Sequence, residues 1–359
     1  TKLSRVREDL NSYLNKEYQA PVDRDVWRHE AIIEDLKPNQ RIPYQVVSIH
    51  DGQDYISQVY TLAAAPLPQT PLKILLTSDH QLMPMTAANL QKVVETVGKV
   101  DAVFMAGDLV NIPDRASEWF DDNRGGAFFP ALQGKAKYHL NKSGIEVIYH
   151  GGEIIQHAPL FPAIGNHEVM GRVSPTLPLK QQFNDAIPRS VAEKDYAREQ
   201  AKINPTNDPQ IKEDWLKDRS FNVDTYSEIF TLPQNDEGNE KYYAVTFGDI
   251  RLVVLYITNI WRSPNLQPDV KGRYKEKEAD LNRPEKWGYG QHIFEPIAKD
   301  SKQYRWLEQE LQSEEFQQAK YKIVMFHHPP HTLGDNIVPP YTDPVQRIEY
   351  GAVSYTHLR

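Results

Sequence analysis

Cysteine is absent from the 359 residues, which excludes disulfides and thiolate metal sites. Any metal ion must be held by Asp, Asn, Gln, Glu, His or water. A cysteine-free chain suits the cytosol, the periplasm or the extracellular medium alike, so the compartment stays open. No apolar run approaches the ~20 residues that span a bilayer, and Thr1–Asn11 is too polar for a signal peptide. Positive charge is in deficit. The formal net charge of −8 argues against a nucleic-acid or anionic-membrane partner. The length allows one large domain or two ordinary ones.

What is present falls into two textures. Residues 1–40 are polar, with weak helical periodicity around Val6–Leu14, and end in the turn signal Leu36-Lys37-Pro38-Asn39-Gln40. Tyr44–Ile49 and Ser57–Leu62 read as strands joined by a hairpin loop at Asp51–Asp54, and Ala65–Pro71 as an extended Pro-rich linker. Residues 1–71 are therefore expected to form a small β region and linker.

From Leu72 the pattern becomes α/β. Lys73–Ser78, Ala102–Ala106 and Pro162–Ile164 are short apolar runs of the kind that make buried strands. Between the first two, Thr86–Val97 carries Ala87, Leu90, Val93, Val94 and Val97 at helical spacing. Tyr242–Phe247 and Leu252–Ile257 predict an antiparallel pair around Gly248-Asp249, followed by a helix over Lys302–Leu311 and a strand over Tyr321–Phe326. Residues 171–220 are polar and proline-dotted, and read as an insertion over the domain surface. The charge run Lys275–Asp280 reads as a solvated face. The last residues, 352–359, match one reading frame of a sequencing-library adapter and are taken as a non-native tail, which leaves 72–351 as the main domain.

The chemistry sits just beyond the strands. The first is followed by Asp79-His80-Gln81, the second by Gly107-Asp108-Leu109-Val110-Asn111, and the third by Gly165-Asn166-His167-Glu168. The strand far downstream is followed by His327-His328-Pro329-Pro330. In α/β sheets, ligands bind at the carboxyl ends of strands, so Asp, Asp, Asn and His would share one rim. Carboxylate, amide oxygen and imidazole suit Mn, Fe, Zn or Mg. Each motif alone has a plain alternative. An Asp at a strand end is commonly a cap or turn residue, and Gly-Asp is a common turn dipeptide. Gly-Asn-His-Glu after a buried strand has little structural logic of its own and carries most of the signal.

On these motifs the sequence resembles the calcineurin-like metallophosphoesterase superfamily. That family uses Asp-x-His, Gly-Asp, Gly-Asn-His-Asp/Glu, a lone His and Gly-His-x-His, and all but the last block appear here in order. The resemblance implies a sandwich of two mixed β-sheets flanked by helices, and a hydrolase of phosphate mono- or diesters. Its small-molecule phosphate ester would be attacked by a hydroxide bridging two divalent or trivalent metal ions. It also implies roles. Asp79 and Gln81 would bind the first metal, Asp108 would bridge both, and Asn166 and His327 would bind the second. His167 would act as general acid toward the leaving oxygen, and Glu168 would orient its neighbours. His328 either points into the site or packs. Lys37-Pro38-Asn39 is similar to the end of the fibronectin-like domain that precedes the catalytic domain in purple acid phosphatases.

Three departures accompany the likeness. Gln81 stands where the family has the His of Asp-x-His, while His80 should point to the opposite face. Asn111 replaces the tyrosine ligand of purple acid phosphatases, so no ferric–tyrosinate centre is expected. Gly-His-x-His is missing, so the chain as written is expected to bind metals poorly. A catalytically inactive binding module is the competing reading, and a nuclease of the same superfamily is a third that the acidic balance disfavours. His139, His150 and His157 read as surface or packed histidines, and Trp119, Trp261 and Trp287 as core or cap residues. His331 is a further residue that could reach the site.

Overall fold

The computed structural model describes residues 1–9, 20–185, 187–235, 239–261, 292–295, 297 and 299–328. The charge run at 275–280, Trp287, His331 and the tail from 352 lie outside these residues.

The N-terminal segment opens with strand β1 (Arg7–Glu8), paired antiparallel with β2 (Val22–Asp23). The helical expectation for Val6–Leu14 is not met over Val6–Asp9, and residues 10–14 lie outside the described residues. Leu3 and Val6 are buried against Ala116, and the Arg7 N–H donates to the Asp114 carbonyl at 2.8 Å. Tertiary partners far along the chain claim the backbone before a local helix can.

Next come β3 (Arg41–Tyr44), β4 (Val47–His50), β5 (Gln53–Ile56) and β6 (Tyr60–Ala63), with β3 paired to β6 and β4 to β5. The tip of the β4–β5 hairpin is Asp51-Gly52, both at positive φ. This is the two-residue turn that matches strand twist, and it is tighter than the four-residue loop read from sequence.

The α/β unit begins with β7 (Ile74–Thr77), α1 (Thr86–Val97) and β8 (Ala102–Met105). Two short helices, α2 (Ala116–Phe120) and α3 (Phe128–Leu132), and the hairpin β9 (Tyr138–Lys142) and β10 (Ile145–Tyr149) precede β11 (Leu160–Pro162). Strands β11, β8 and β7 form a parallel sheet in that order. All four residues of the central strand β8 are buried, as two covered faces require. The third strand ends two residues earlier than its apolar run suggested. Ala163 still donates to the Met105 carbonyl at 2.7 Å, but the chain is already turning toward the rim.

The polar excursion holds α4 (Leu179–Asn184), α5 (Arg189–Ile203) and α6 (Pro209–Arg219). Met170 and Asn222 exchange both backbone hydrogen bonds, so the segment leaves and re-enters the core at one point. Helix α7 (Asp224–Ile229) then leads to β12 (Tyr243–Phe247), β13 (Ile250–Val254), β14 (Thr258–Trp261) and β15 (His292–Phe294). The described chain closes with α8 (Lys302–Gln312), α9 (Glu314–Gln318) and β16 (Tyr321–Met325).

The second sheet has the order β12, β13, β16 and is mixed: antiparallel, then parallel. The first is wholly parallel among the described residues. The two sheets pack face to face through one core containing Val103, Phe104, Met105, Leu252, Val254 and Met325. The Tyr243 hydroxyl donates across it to the Pro162 carbonyl at 2.9 Å. Trp306, Leu307 and Phe316 of α8 and α9 cover the outer side of β13. The result is an α/β sandwich of two sheets flanked by helices, with β7, β8, β11 and β16 all ending at one rim. Trp119 is core, fully buried with its indole N–H on the Pro113 carbonyl.

Candidate metal centre

The rim is made of strand-end turns pressed against each other. Asp79 leaves β7 at φ +54°, and Asp108 leaves β8 at φ +55° after Gly107 at +91°. Left-handed backbone at non-glycine residues costs roughly 1–3 kcal/mol each and clusters where a site requires it. Here it turns the carboxylates inward, and the turns are stitched by Asp79 N–H to Gly107 O and Gln81 N–H to Leu109 O, both 3.1 Å. A Cβ on Gly165 would lie 2.3 Å from Asp108 Oδ1, and one on Gly107 would lie 2.8 Å from the Gly165 nitrogen. Only glycine permits that approach.

Asp79, Asp108 and His327 converge, with one ligand atom from each lying within 4.8 Å of the others. Three separate strand ends thus bring two carboxylates and an imidazole to one point. The Nδ1 of His327 lies 2.7 Å from the Ala106 carbonyl, which makes it the N–H side, so Nε2 faces Asp108 Oδ2 at 3.2 Å. A backbone carbonyl on the far nitrogen is how ligating histidines are usually oriented. Burial opposes charge on this ring, but the adjacent Asp108 and the nearby Asp79 raise it to about 9. For Asp108, burial opposes the carboxylate, and the His327 and His167 rings hold it below its ordinary range.

Gln81 is buried against this pair, with its amide 2.7 Å from Asp108 Oδ2. Its nitrogen faces the carboxylate, and a 180° turn of the amide would present its oxygen instead. Asn166 is buried at the start of a single 3₁₀ turn over Asn166–Glu168. Its neighbours fix its place at the rim: Gly165 touches Asp108, and the His167 N–H donates to Asp108 Oδ1 at 3.0 Å.

Glu168 does what its position suggested. Its buried carboxylate accepts the N–H groups of Gly165 at 2.7 Å, Asp108 at 2.9 Å and Leu109 at 2.7 Å. It therefore locks the third strand end onto the second. Burial, then the negative charge of Asp108, pushes its carboxyl up to about 8.

His167 is partly open to solvent. Its Nδ1 donates to the Asn111 carbonyl at 2.8 Å, and its Nε2 lies 4.0 Å from Asp108 Oδ2. Asn111 does not face the carboxylate cluster as a tyrosine ligand would. Its side-chain amide donates to the Gln81 carbonyl at 2.7 Å. His80 points away from the rim, as expected, bonded to Thr77 and packed near Phe128. Burial lowers it to about 4, so it is neutral. His328 packs edge-on against the His327 ring, centroids 4.6 Å apart. His139 is exposed beside Glu146, His150 is exposed with its Nδ1 on the Ala136 carbonyl, and His157 is buried with its Nε2 on Glu153.

Two contributions were not read from the sequence. Phe183, from the excursion, lies with its ring centroid 5.2 Å from that of His167. Glu118 accepts the N–H of Asn111 at 2.6 Å and that of Ile112 at 3.0 Å, so it holds the peptide on which His167 rests. The only local hint was an acidic residue in the first turn of α2. Phe183 gave none.

The family model described as calcineurin-like phosphoesterase matches residues 72–353. No curated protein matches the chain. Among solved structures it is similar to a purple acid phosphatase, PPD1, isolated from yellow lupin (Lupinus luteus) seeds. The identity is 15% and the TM-score 0.44, with 82% of this chain and 37% of that one covered. The chain thus spans well under half of that protein's length.

Proposed function

Because the chain belongs to the calcineurin-like phosphoesterase family, we propose that it hydrolyses phosphate mono- or diesters at a dinuclear metal centre. The observation that carries this reading is the convergence of Asp79, Asp108 and His327 from separate strand ends, with His167 beside them. The donors fit the group. Two carboxylates, an imidazole already oriented through its far nitrogen, and two amides form a hard-to-borderline set suited to Mn, Fe, Zn or Mg. Asp79 and Gln81 would hold the first ion, Asp108 would bridge, and Asn166 and His327 would hold the second. Bound there, the ions supply Lewis-acid activation of water and neutralise charge on the phosphoryl group.

The protein's own residues have the remaining tasks. Glu168 holds the Asp108 and Asn166 turns in register. His167 keeps its Nδ1 proton on the Asn111 carbonyl and turns Nε2 toward the cluster, so a second proton taken up on Nε2 would be the one given to the leaving oxygen. Residues 72–351 would be the catalytic unit, and the 171–220 excursion would shape access from the His167 side.

The test is reconstitution with each metal, metal quantification, and hydrolysis of p-nitrophenyl phosphate and bis-p-nitrophenyl phosphate with and without chelator. Weak metal-dependent turnover that Asp108→Asn abolishes is expected. Two ions bound without turnover of any ester would replace this reading with that of a binding module.

A further inference from the structure

Resting on the assignment of His167 as general acid, we infer that Asp9 is a positioning residue for that imidazole. Asp9 lies in the N-terminal segment, outside the residues that the family model covers, and is almost wholly buried, at 2% exposure. Two routes leave its carboxylate and meet on one ring.

The first route is polar. Asp9 Oδ2 accepts Arg115 Nη2 at 2.9 Å, and Arg115 Nη1 donates to Glu118 Oε1 at 2.8 Å. The other oxygen of Glu118 accepts the Asn111 N–H, and the Asn111 carbonyl accepts the Nδ1 proton of His167. The second route is steric. Both oxygens of Asp9 accept the Leu179 N–H at 3.1 Å, which fixes the start of α4. One turn further, Phe183 lies against the His167 ring, in a cluster with Ile112, Met170 and Leu179. Ile112 joins the routes, since its N–H goes to Glu118 and its side chain packs in the Phe183 cluster.

An imidazole that gives a proton from Nε2 to a leaving oxygen needs Nδ1 held as N–H, so that Nε2 is the nitrogen that gains and loses the proton, and it needs a fixed plane. The Asn111 carbonyl sets the tautomer and Phe183 sets the plane. Asp9 holds the supports of both. Burying two carboxylates around one guanidinium is costly in desolvation, and in this fold the array fixes geometry at the rim rather than filling a core.

The experiment compares wild type, Asp9→Asn, Glu118→Gln, Phe183→Leu and Arg24→Ala as full chains. Arg24→Ala is the control, because it removes side-chain contacts of the same segment to Asp121 and Glu8 and none made by Asp9. The first readout is the tautomer of His167, from the imidazole ¹⁵N shifts of metal-free protein. Wild type and Arg24→Ala should give the Nδ1–H form, and Asp9→Asn and Glu118→Gln a mixture. The second is kcat on alkyl phosphate against p-nitrophenyl phosphate in metal-loaded protein. Asp9→Asn and Phe183→Leu should lower kcat about tenfold on the poor leaving group and leave it near wild type on the good one, with KM unchanged.

A folded Asp9→Asn with the wild-type tautomer and leaving-group ratio overturns the inference. If Asp9→Asn does not fold, Glu118→Gln and Phe183→Leu each cut one route, and the same pair of wild-type results overturns it. If wild type hydrolyses neither ester, the phosphoesterase reading fails, while the tautomer still decides whether Asp9 positions the ring.

Discussion

The His327 ring faces Asp108 across 3.2 Å with Nε2, and its opposite nitrogen is fixed on the Ala106 carbonyl. Without metal, Nε2 holds a proton that its surroundings raise to about 9. A metal ion must displace that proton, so binding should release it. Affinity should therefore rise with pH through the range from 7 to about 9. Proton release measured by calorimetry in buffers of differing ionisation enthalpy checks this. In His327→Gln both the release and the slope should fall.

The same pair bears on the metal-free fold. A histidine raised from 6.5 to about 9 adds stability that is complete below pH 6.5 and is lost as pH climbs through 9. His80 works in the other direction. Lowered from 6.5 to about 4, it contributes stability present above pH 6.5 and lost as pH falls through 4. The shift corresponds to roughly 3 kcal/mol. His80→Phe should flatten the acid limb of a urea-denaturation series between pH 6.5 and 4, because no buried ring is left to protonate.

Glu168 receives three peptide N–H groups from two turns. Glu168→Gln puts an amide NH₂ against donors, which should cost about 1–3 kcal/mol of stability. Loosening the turn that carries Asp108 should also weaken metal affinity about 10- to 100-fold. Thermal unfolding and metal titration of the folded variant measure the two separately.

Gly165 is at φ −98°, a conformation open to any residue, so its role is one of space. In Gly165→Ala the new methyl would sit 2.3 Å from Asp108 Oδ1. Relief requires moving the Asp108 carboxylate or the turn, at about 1–3 kcal/mol. Metal stoichiometry should fall more sharply than the unfolding midpoint. A variant that binds metal like wild type would show that the rim is softer than these contacts imply.

Much of the site could be read along the chain because its parts are local. A buried strand is a short apolar run, and the polar residues just past it fall at the sheet rim. So Asp79, Asp108, Asn166 and His327 could be named before any fold was known. His80 could be set apart because neighbours on an extended backbone face opposite ways. Strand ends were less exact, as at Leu160–Pro162, because the last apolar residues of a run can belong to the turn. The start of the Val6 segment, Val6–Asp9, is not helical because weak periodicity loses to a strand held by distant partners.

The sequence by itself determined the chemistry of the rim: no thiolates, and oxygen and imidazole donors placed after successive buried strands. Only the tertiary structure decided how that rim is held. Asp9, Arg115, Glu118 and Phe183 reach His167 across separations as long as the 170 residues between Asp9 and Leu179. Such contacts leave no period and no motif in the chain. They exist because the folded core brings distant buried charges together, and each must find its partner there.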